Sequence, residues 1–456
     1  QSIMANVFNF SYCLLDVRII FKSHADRGNQ SALLIENSEI KMKEKALLVG
    51  VIHGELNQNI VDEHLEELQL LAETAGAEVV GNVTQKLKRI NPTFFIGSGK
   101  AEQLINQAKE LGVSLIIFDD ELSPGQIKNY SNFTEEVKVI DRSGLILDIF
   151  RQHAQTKEAK TQVELAQLEY MLPRLTRAWT HLERQMGGIG TRAGAGETQI
   201  EVDRRLIRTR ISKLKRELEK IDRERNTQSK RRGNQYKVAL VGYTNAGKST
   251  LMKAISGADV FIQDQLFATL DTTVRSVELD SSHTILLSDT VGFIRKLPHH
   301  LVASFRSTLK EVVDSDLILL ILDASSSQVE DHYQTIMEVL KDLGADRHQI
   351  QIVLNKIDRD EADEHIHFLK RRFADSTFVS ALNNLRIEML SQRIIEIIDE
   401  NYQIVDLRFS YQESKEMALA QEGVDVLERN YDDDCVRLKI KGARWRINQI
   451  QSSLLK

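Results

Sequence analysis

The chain has 456 residues, of which 42% are hydrophobic and 28% charged, and its formal net charge is −6 at pH 7. Such values are ordinary for a protein with buried cores, and they exclude a uniformly basic nucleic-acid binder, although not a local basic face. The two cysteines lie far apart, which argues against a disulfide framework and for a reducing compartment. No apolar run reaches the about 18 residues that a membrane span needs, so we expect no transmembrane segment and a cytoplasmic, monomeric protein, with peripheral membrane attachment left open.

The first part of the chain predicts an α/β domain. Residues 1–45 carry no motif and no clear period, so this extension is left unassigned. From Ala46, strands alternate with helices, and this pattern predicts a parallel sheet in a domain over residues 46–150. The segment Gly97-Ser-Gly-Lys100 places two glycines before a helix, either as a tight turn or as a contact to an anion or RNA. The predicted elements are strands Ala46–Ile52, Glu78–Val80, Ser114–Phe118 and Val137–Ile140 and helices Ile60–Ala75 and Lys100–Leu111.

Residues 151–233 predict a helical hairpin that links two domains. Apolar residues recur at three- and four-residue spacing on both sides of a glycine-rich tip, Met186–Glu197. The second helix has no acidic residue between Arg204 and Arg216, and Trp179 adds an aromatic ring near the tip. A solvated face is one interpretation, and the stronger one is contact with RNA phosphates and bases. The candidate RNA contacts are Arg192, Arg204, Arg205 and Arg208.

A phosphate-binding loop opens the next predicted domain, residues 234–400. The apolar strand Val238–Val241 leads into Gly242-Tyr-Thr-Asn-Ala-Gly-Lys-Ser249. The glycines allow a tight backbone turn whose N–H groups point at a phosphate, Lys248 adds a positive charge, and Ser249 supplies a hydroxyl for Mg²⁺.

Further motifs in the same domain select the nucleotide. Asp289–Gly292 ends an apolar strand, so that Asp289 can reach the metal through water and the Gly292 N–H can meet the γ-phosphate. Asn355–Asp358 ends another strand, and Asp358 can accept from guanine N1–H and its amine, which adenine cannot match. Ser380–Leu382 can offer a backbone N–H to guanine O6. The sequence therefore predicts GTP as the substrate, with Lys248 and Gly292 acting at the phosphates.

Threonines precede the first of these motifs. Phe267–Asp271 occupies the place of a loop that senses the γ-phosphate, and Thr269 is the preferred second protein ligand of Mg²⁺ and the third catalytic candidate. Thr272 and Thr273 are its alternatives. Residues 401–456 predict a small α/β appendage, for either partner contact or structural closure.

A family resemblance follows from these motifs together. Asp141–Phe150, Gln162–Leu168, the Gly187–Arg205 segment and Phe267–Asp271 resemble the HflX family of ribosome-associated GTPases, from about Ala46 to the C-terminus. The resemblance implies GTP hydrolysis and binding of the large ribosomal subunit or the 70S ribosome through rRNA, with subunit splitting, rescue or biogenesis under stress. Relatives often carry a proline in the glycine-rich tip, where Arg192–Glu197 has none.

The same resemblance implies a set of site residues. Its Mg²⁺ ligands fall on Ser249 and Thr269, and Asn245 resembles a position where some GTPases bind K⁺, unless its amide only bonds within the loop. The family's nucleotide contacts fall on Gly242, Tyr243, Thr244, Asn245, Ala246, Gly247, Lys248, Ser249, Phe267, Ala268, Thr269, Leu270, Asp271, Asp289, Thr290, Val291, Gly292, Asn355, Lys356, Ile357, Asp358, Ser380, Ala381 and Leu382.

One departure from other GTPases predicts how hydrolysis is controlled. Phe293 follows the Asp-x-x-Gly motif, where a glutamine often orients the attacking water. We expect slow hydrolysis by the protein alone and acceleration by the ribosome, and we expect Phe293→Gln to leave ribosome binding intact. An alternative is a GTP-dependent switch that binds a protein partner such as a membrane protease complex.

Overall fold

The computed structural model describes most of the chain. The chain divides into two compact units between Arg216 and Glu217. Within the described residues, no helix is both long and apolar enough to cross a membrane. The described ranges are 43–54, 56–134, 136–175, 199–231, 236–257, 266–267, 270–281, 283–296, 309–421, 424–432, 434–443, 447 and 450–451.

The first unit is built on a four-stranded parallel sheet with strand order β2-β1-β3-β4. Strand β2 runs six residues beyond the predicted end at Val80. Every side chain of β3 is buried, as expected for a central strand covered by helices on both faces. The strands are β1 (Lys45–Ile52), β2 (Glu78–Lys86), β3 (Leu115–Phe118) and β4 (Lys138–Asp141). The helices between them are α1 (Gln58–Thr74), α2 (Ser98–Glu110) and α3 (Pro124–Phe133).

Side-chain caps define where these helices begin. Asn57 accepts from the N–H of Ile60 at the start of α1. Ser123 and Gln126 form a reciprocal capping box at the start of α3, where Pro124 occupies the first turn. Capping groups satisfy N–H groups that have no partner within the helix, so they fix each boundary locally.

Two further helices follow the sheet, α4 (Arg142–His153) and α5 (Lys157–Met171), and α5 continues into a short 3₁₀ turn. The buried Asp141 carboxylate accepts from the N–H of Gly144, the Tyr170 hydroxyl and Arg174 at 2.9, 2.7 and 3.2 Å. Burial and the neighbouring Asp141 charge raise the pKa of Tyr170. Asp141 therefore ties the end of α5 to the end of β4.

The long helix α6 (Gln199–Arg231) comes after the predicted glycine-rich tip, which lies outside the described residues. It packs along α5 through ion pairs. The Arg210 guanidinium forms a two-pronged pair with Glu164, at 2.6 and 2.7 Å, and Lys215 pairs with Glu169 at 2.9 Å.

The second unit contains a six-stranded sheet with order β10-β9-β8-β5-β7-β6, in which β6 pairs antiparallel with β7 and every other pair of strands is parallel. The β8 strand is apolar and buried at the centre. Its strands are β5 (Tyr236–Gly242), β6 (Thr273–Glu278), β7 (Thr284–Asp289), β8 (Leu317–Asp323), β9 (Gln349–Asn355) and β10 (Thr377–Phe378). Its helices are α7 (Lys248–Ser256), α8 (Lys310–Val313), α9 (Val329–Asp342), α10 (Asp360–Arg372) and α11 (Ile387–Asn401).

A small antiparallel sheet with order β11-β13-β12 ends the chain. Its buried face packs Leu438 and Ile440 against Phe409 and Val424. The α/β fold predicted from the sequence is confirmed. The elements are β11 (Tyr402–Ser410), α12 (Ser414–Ala420), β12 (Asp425–Tyr431) and β13 (Cys435–Ala443).

Candidate nucleotide-binding site

The predicted nucleotide motifs meet at one edge of the six-stranded sheet. Strands β5, β7, β9 and β10 run parallel, so the loops at their carboxyl ends lie side by side. The crevice outside the carboxyl ends of parallel strands is where open α/β sheets bind ligands.

The loop between β5 and α7 has the backbone that a phosphate cradle needs. Asn245 and Gly247 take positive φ values of 59° and 91°. A Cβ on Gly247 would collide with the side-chain amide of Asn355, so glycine is required there for space as well as for conformation. Helix α7 begins at Lys248, and its first N–H groups therefore face this loop.

Lys248 is held inside the loop rather than in solvent. Its Nζ donates to the carbonyl oxygens of Gly242 and Tyr243, at 3.2 and 2.9 Å. Burial lowers the pKa of Lys248 to about 8, against the opposing effect of the Asp289 carboxylate. Burial destabilises the charged amine, and a bound phosphate would stabilise it by placing an opposite charge nearby.

The Mg²⁺ candidates partly converge. The Ser249 hydroxyl donates to Asp289 over 2.6 Å, which joins the start of α7 to the end of β7. A hydroxyl and a carboxylate are hard oxygen ligands that fit Mg²⁺ directly or through water. Thr269 and Ala268 lie outside the described residues, so the structure does not place the predicted second ligand. Their neighbours Phe267 and Leu270 are buried.

Asn355 connects the guanine motif to the phosphate loop. Its amide donates to the Ala246 carbonyl, and its side-chain oxygen accepts from the N–H of Ala381, both at 2.9 Å. One buried side chain thus sets the spacing of three motifs that are remote in sequence.

The remaining residues predicted to contact guanine differ in their exposure. The Asp358 side chain is exposed, as a carboxylate must be to receive a base. Lys356 adopts a positive φ of 64° and pairs with Asp323 at 2.7 Å. Ser380 is fully buried, whereas Leu382 is 75% exposed beside it. Asp323 is not among the residues predicted from the sequence, although its position at the end of an apolar strand could have indicated it.

The segment after β7 is fixed against the phosphate loop. The Thr290 hydroxyl donates to the Leu240 carbonyl over 2.7 Å. A Cβ on Gly292 would lie 2.9 Å from Thr244 Cα and 3.0 Å from Lys248 Nζ, so only glycine fits. Phe293 is 2% exposed and packs inward. Its ring therefore has no access to a water in the crevice.

The basic residues of α6 differ in their contacts. Arg210 and Lys215 form the ion pairs with α5 described above. Arg205, Arg208 and Lys213 are exposed, and Arg204 is half-buried. The predicted contact Arg192 lies outside the described residues.

These features define a P-loop GTPase. Three family models cover most of the chain beyond residue 61: "GTP-binding GTPase N-terminal" matches residues 62–151, "GTP-binding GTPase Middle Region" matches 153–232, and "50S ribosome-binding GTPase" matches 237–356. The chain belongs to the GTPase HflX family, which confirms the resemblance carried by its motifs, and its chemistry is the hydrolysis of GTP to GDP and phosphate.

Relatives extend over most of the chain. GTPase HflX of Flavobacterium psychrophilum is 52% identical over 69% of this chain and 76% of its own length. GTPase HflX of Escherichia coli K12 is 42% identical over 82% of this chain and 87% of its own. A solved GTP-binding protein of Sulfolobus solfataricus in complex with GDP is 27% identical, over 78% of this chain and 98% of that one, with a TM-score of 0.41.

Proposed function

We propose that this GTPase binds the large ribosomal subunit, alone or in the 70S ribosome, and that the ribosome stimulates its hydrolysis of GTP. Its role would be in translation under stress, in subunit splitting, rescue or ribosome biogenesis. The proposal extends to a cytoplasmic, monomeric protein with the domain scheme inferred from the sequence.

The main support for the proposal is the exposed basic residues of α6, Arg208 and Lys213. The sequence between Arg204 and Arg216 contains no acid. Nucleic-acid backbones are bound chiefly by such clusters of arginine and lysine. Side chains already paired with carboxylates, such as Arg210 and Lys215, would contribute less, so an RNA contact would use the exposed Arg208 and Lys213.

The buried Phe293 supports stimulation by a partner. In GTPases that receive a stabilising cation from a partner, turnover rises by about 10³–10⁵. A GTPase without its own water-orienting side chain at this position depends on such help. The exposed basic residues of α6 favour the ribosome as this partner, because its surface is rich in RNA phosphates.

The same proposal assigns the nucleotide contacts. The loop from Gly242 to Ser249 would hold the phosphates, and Asn355–Asp358 with Ser380–Leu382 would hold guanine. Ser249, with Thr269, would hold Mg²⁺, which when bound neutralises charge on the β- and γ-phosphates. Lys248 would bind the same phosphates, and the Gly292 N–H would donate to the γ-phosphate. K⁺ near Asn245 is part of the proposal, because the exposed Asn245 amide makes no hydrogen bond with any described residue.

The test is steady-state GTP hydrolysis with and without purified large ribosomal subunits. We expect strong stimulation that falls sharply in an Arg208→Ala/Lys213→Ala variant and is absent with Asp358→Asn, which should bind guanine poorly. Equal turnover with and without subunits would contradict the ribosome proposal while leaving the GTPase chemistry intact, and would direct the search to a protein partner.

A further inference from the structure

The chain after Gly292 is attached to the phosphate loop by backbone hydrogen bonds. The Phe293 N–H donates to the Gly242 carbonyl over 3.0 Å, and the Thr244 N–H donates to the Phe293 carbonyl over 2.8 Å. Tyr243 and Phe293 thus face each other in a parallel bridge. Gly292 is the residue immediately before this attachment.

A side chain of the phosphate loop makes the third attachment. The Tyr243 hydroxyl accepts from the Arg295 N–H over 2.8 Å, although Tyr243 belongs to a loop whose backbone is expected to hold phosphates. The ring is 6% exposed, so it lies away from the open crevice. Three hydrogen bonds within three residues hold this segment to one loop.

His332 fixes the ring that makes this contact. The imidazole, on α9, stacks on the Tyr243 ring with a centroid distance of 3.8 Å and an interplanar angle of 17°. The stack limits movement of the tyrosine side chain about its Cα–Cβ bond and so keeps the hydroxyl next to Arg295. Neither the phosphate-loop motif nor the spacing of α9 in the sequence indicates this pair.

We propose that Tyr243 and His332 are positioning residues for GTP hydrolysis, which hold Gly292 against Lys248 so that the glycine N–H meets the γ-phosphate. The proposal rests on the nucleotide contacts assigned above. Its basis is distance: a Cβ on Gly292 would stand 3.0 Å from Lys248 Nζ, so a small shift of the attached segment would move the N–H away from any phosphate that the lysine binds. GDP has no γ-phosphate, and its binding does not use Gly292.

This difference between the two nucleotides separates positioning from a general structural role. Tyr243→Phe keeps the ring and the stack but removes the acceptor for Arg295. We expect an about fivefold loss of affinity for a non-hydrolysable GTP analogue, the size expected for one hydrogen bond, and a comparable or larger fall in the single-turnover rate. The loss of GDP affinity should be much smaller, because the change leaves the backbone of the phosphate loop in place. Tyr333→Phe is the matched control, since Tyr333 neighbours His332 on α9 but packs edge-on against Phe373.

A second pair of variants tests the stack independently of the phosphate loop. His332→Phe preserves a flat ring and should retain wild-type selectivity for the GTP analogue over GDP, whereas His332→Ala should lose it to the same extent as Tyr243→Phe. Equal losses for GDP and the analogue, or no loss for either, would overturn the proposal. A wild-type protein that binds neither nucleotide would instead contradict the site assignment, so the two failures are distinguishable.

Discussion

The side-chain amide of Asn355 donates to the backbone carbonyl of Ala246 over 2.9 Å, across more than a hundred residues of sequence. The same side chain accepts from the N–H of Ala381, and it is 2% exposed. A buried amide with both ends bonded stabilises this region and fixes the distance between the phosphate loop and the proposed guanine contacts.

Removal of this amide should damage the site as a whole. Asn355→Ala leaves the Ala246 carbonyl and the Ala381 N–H without their partner, a cost of about 1–3 kcal/mol in unfolding free energy. We expect a matching loss of stability in denaturant and a large loss of GDP affinity. Asn383→Ala, an exposed change two residues beyond Ala381, should alter neither quantity, and a stable Asn355→Ala protein with normal GDP affinity would contradict this account.

Nucleotide binding should take up a proton in mildly alkaline solution. Burial places the pKa of Lys248 at about 8 in the free protein, below its value of 10.5 in solution. A bound phosphate favours the charged amine, so at about pH 8.5 a fraction of a proton should enter with the nucleotide. Calorimetric binding enthalpies in two buffers of different ionisation heat measure this uptake directly.

The same shift has a defined sign for stability. Because the folded protein binds fewer protons than the unfolded chain between pH 8 and 10.5, the Lys248 contribution to stability rises with pH in that window. Binding enthalpies that do not depend on the buffer at about pH 8.5 would show that Lys248 keeps its proton in the free protein.

Asp148 should make the first unit more stable in mild acid. This buried carboxyl has its pKa raised to about 7 by burial, with Glu44 adding to the rise and Gln152 and Arg151 opposing it. The folded protein therefore binds more protons than the unfolded chain between the ordinary pKa and about 7, and stability falls as pH rises through that range.

Asp148→Asn tests this directly, since the amide oxygen can still accept from Gln152. We expect the variant to gain up to about 4 kcal/mol over the wild type at about pH 8 and to lose this part of the pH dependence in urea unfolding. Asp62→Asn, an exposed change on α1, should keep the wild-type slope. If stability depends on pH equally in Asp148→Asn and in the wild type, then the Asp148 carboxylate of the folded wild type is charged over this whole pH range.

Exposed and paired basic residues of α6 should give different phenotypes. Arg208→Ala/Lys213→Ala removes exposed charges, so we expect weaker ribosome binding and a salt dependence shallower by about two units of log slope. Arg210→Ala instead breaks the ion pair with Glu164, which should cost about 1 kcal/mol of stability and leave the salt slope unchanged. Ribosome sedimentation over a series of salt concentrations measures both, and equal slopes in all three proteins would remove RNA phosphates from the account.

Phe293→Gln should not raise the rate at which the protein alone hydrolyses GTP. The side chain is buried, and an amide placed there without partners costs about 1–3 kcal/mol. Ribosome binding should persist, as the sequence already indicated, while turnover by the protein alone stays slow and thermal stability falls. Phe293→Leu should keep most of the stability, and a rise in intrinsic turnover with Phe293→Gln would mean that this side chain can reach the crevice.

The sequence by itself determined the class of this protein. Glycine-rich phosphate loops and strand-ending aspartates are local patterns, because their chemistry needs particular residues at short, fixed spacings. The apolar periods likewise predicted most strands and helices and placed the motifs at the ends of strands. The proposals that Asp358 selects guanine and that the Ser249 hydroxyl binds Mg²⁺ both stem from that local information.

Tertiary structure alone decided which residues act together. The contacts of Asn355 with Ala246, of Tyr243 with His332 and of Lys356 with Asp323 join segments whose separation in sequence carries no signal. The same holds for the basic helix, where Arg208 and Arg210 look alike in sequence and only the packing of α5 commits one of them to a carboxylate. Burial and pairing depend on the neighbours that the fold supplies, and a side chain's charge is available to a partner only where the fold leaves it exposed.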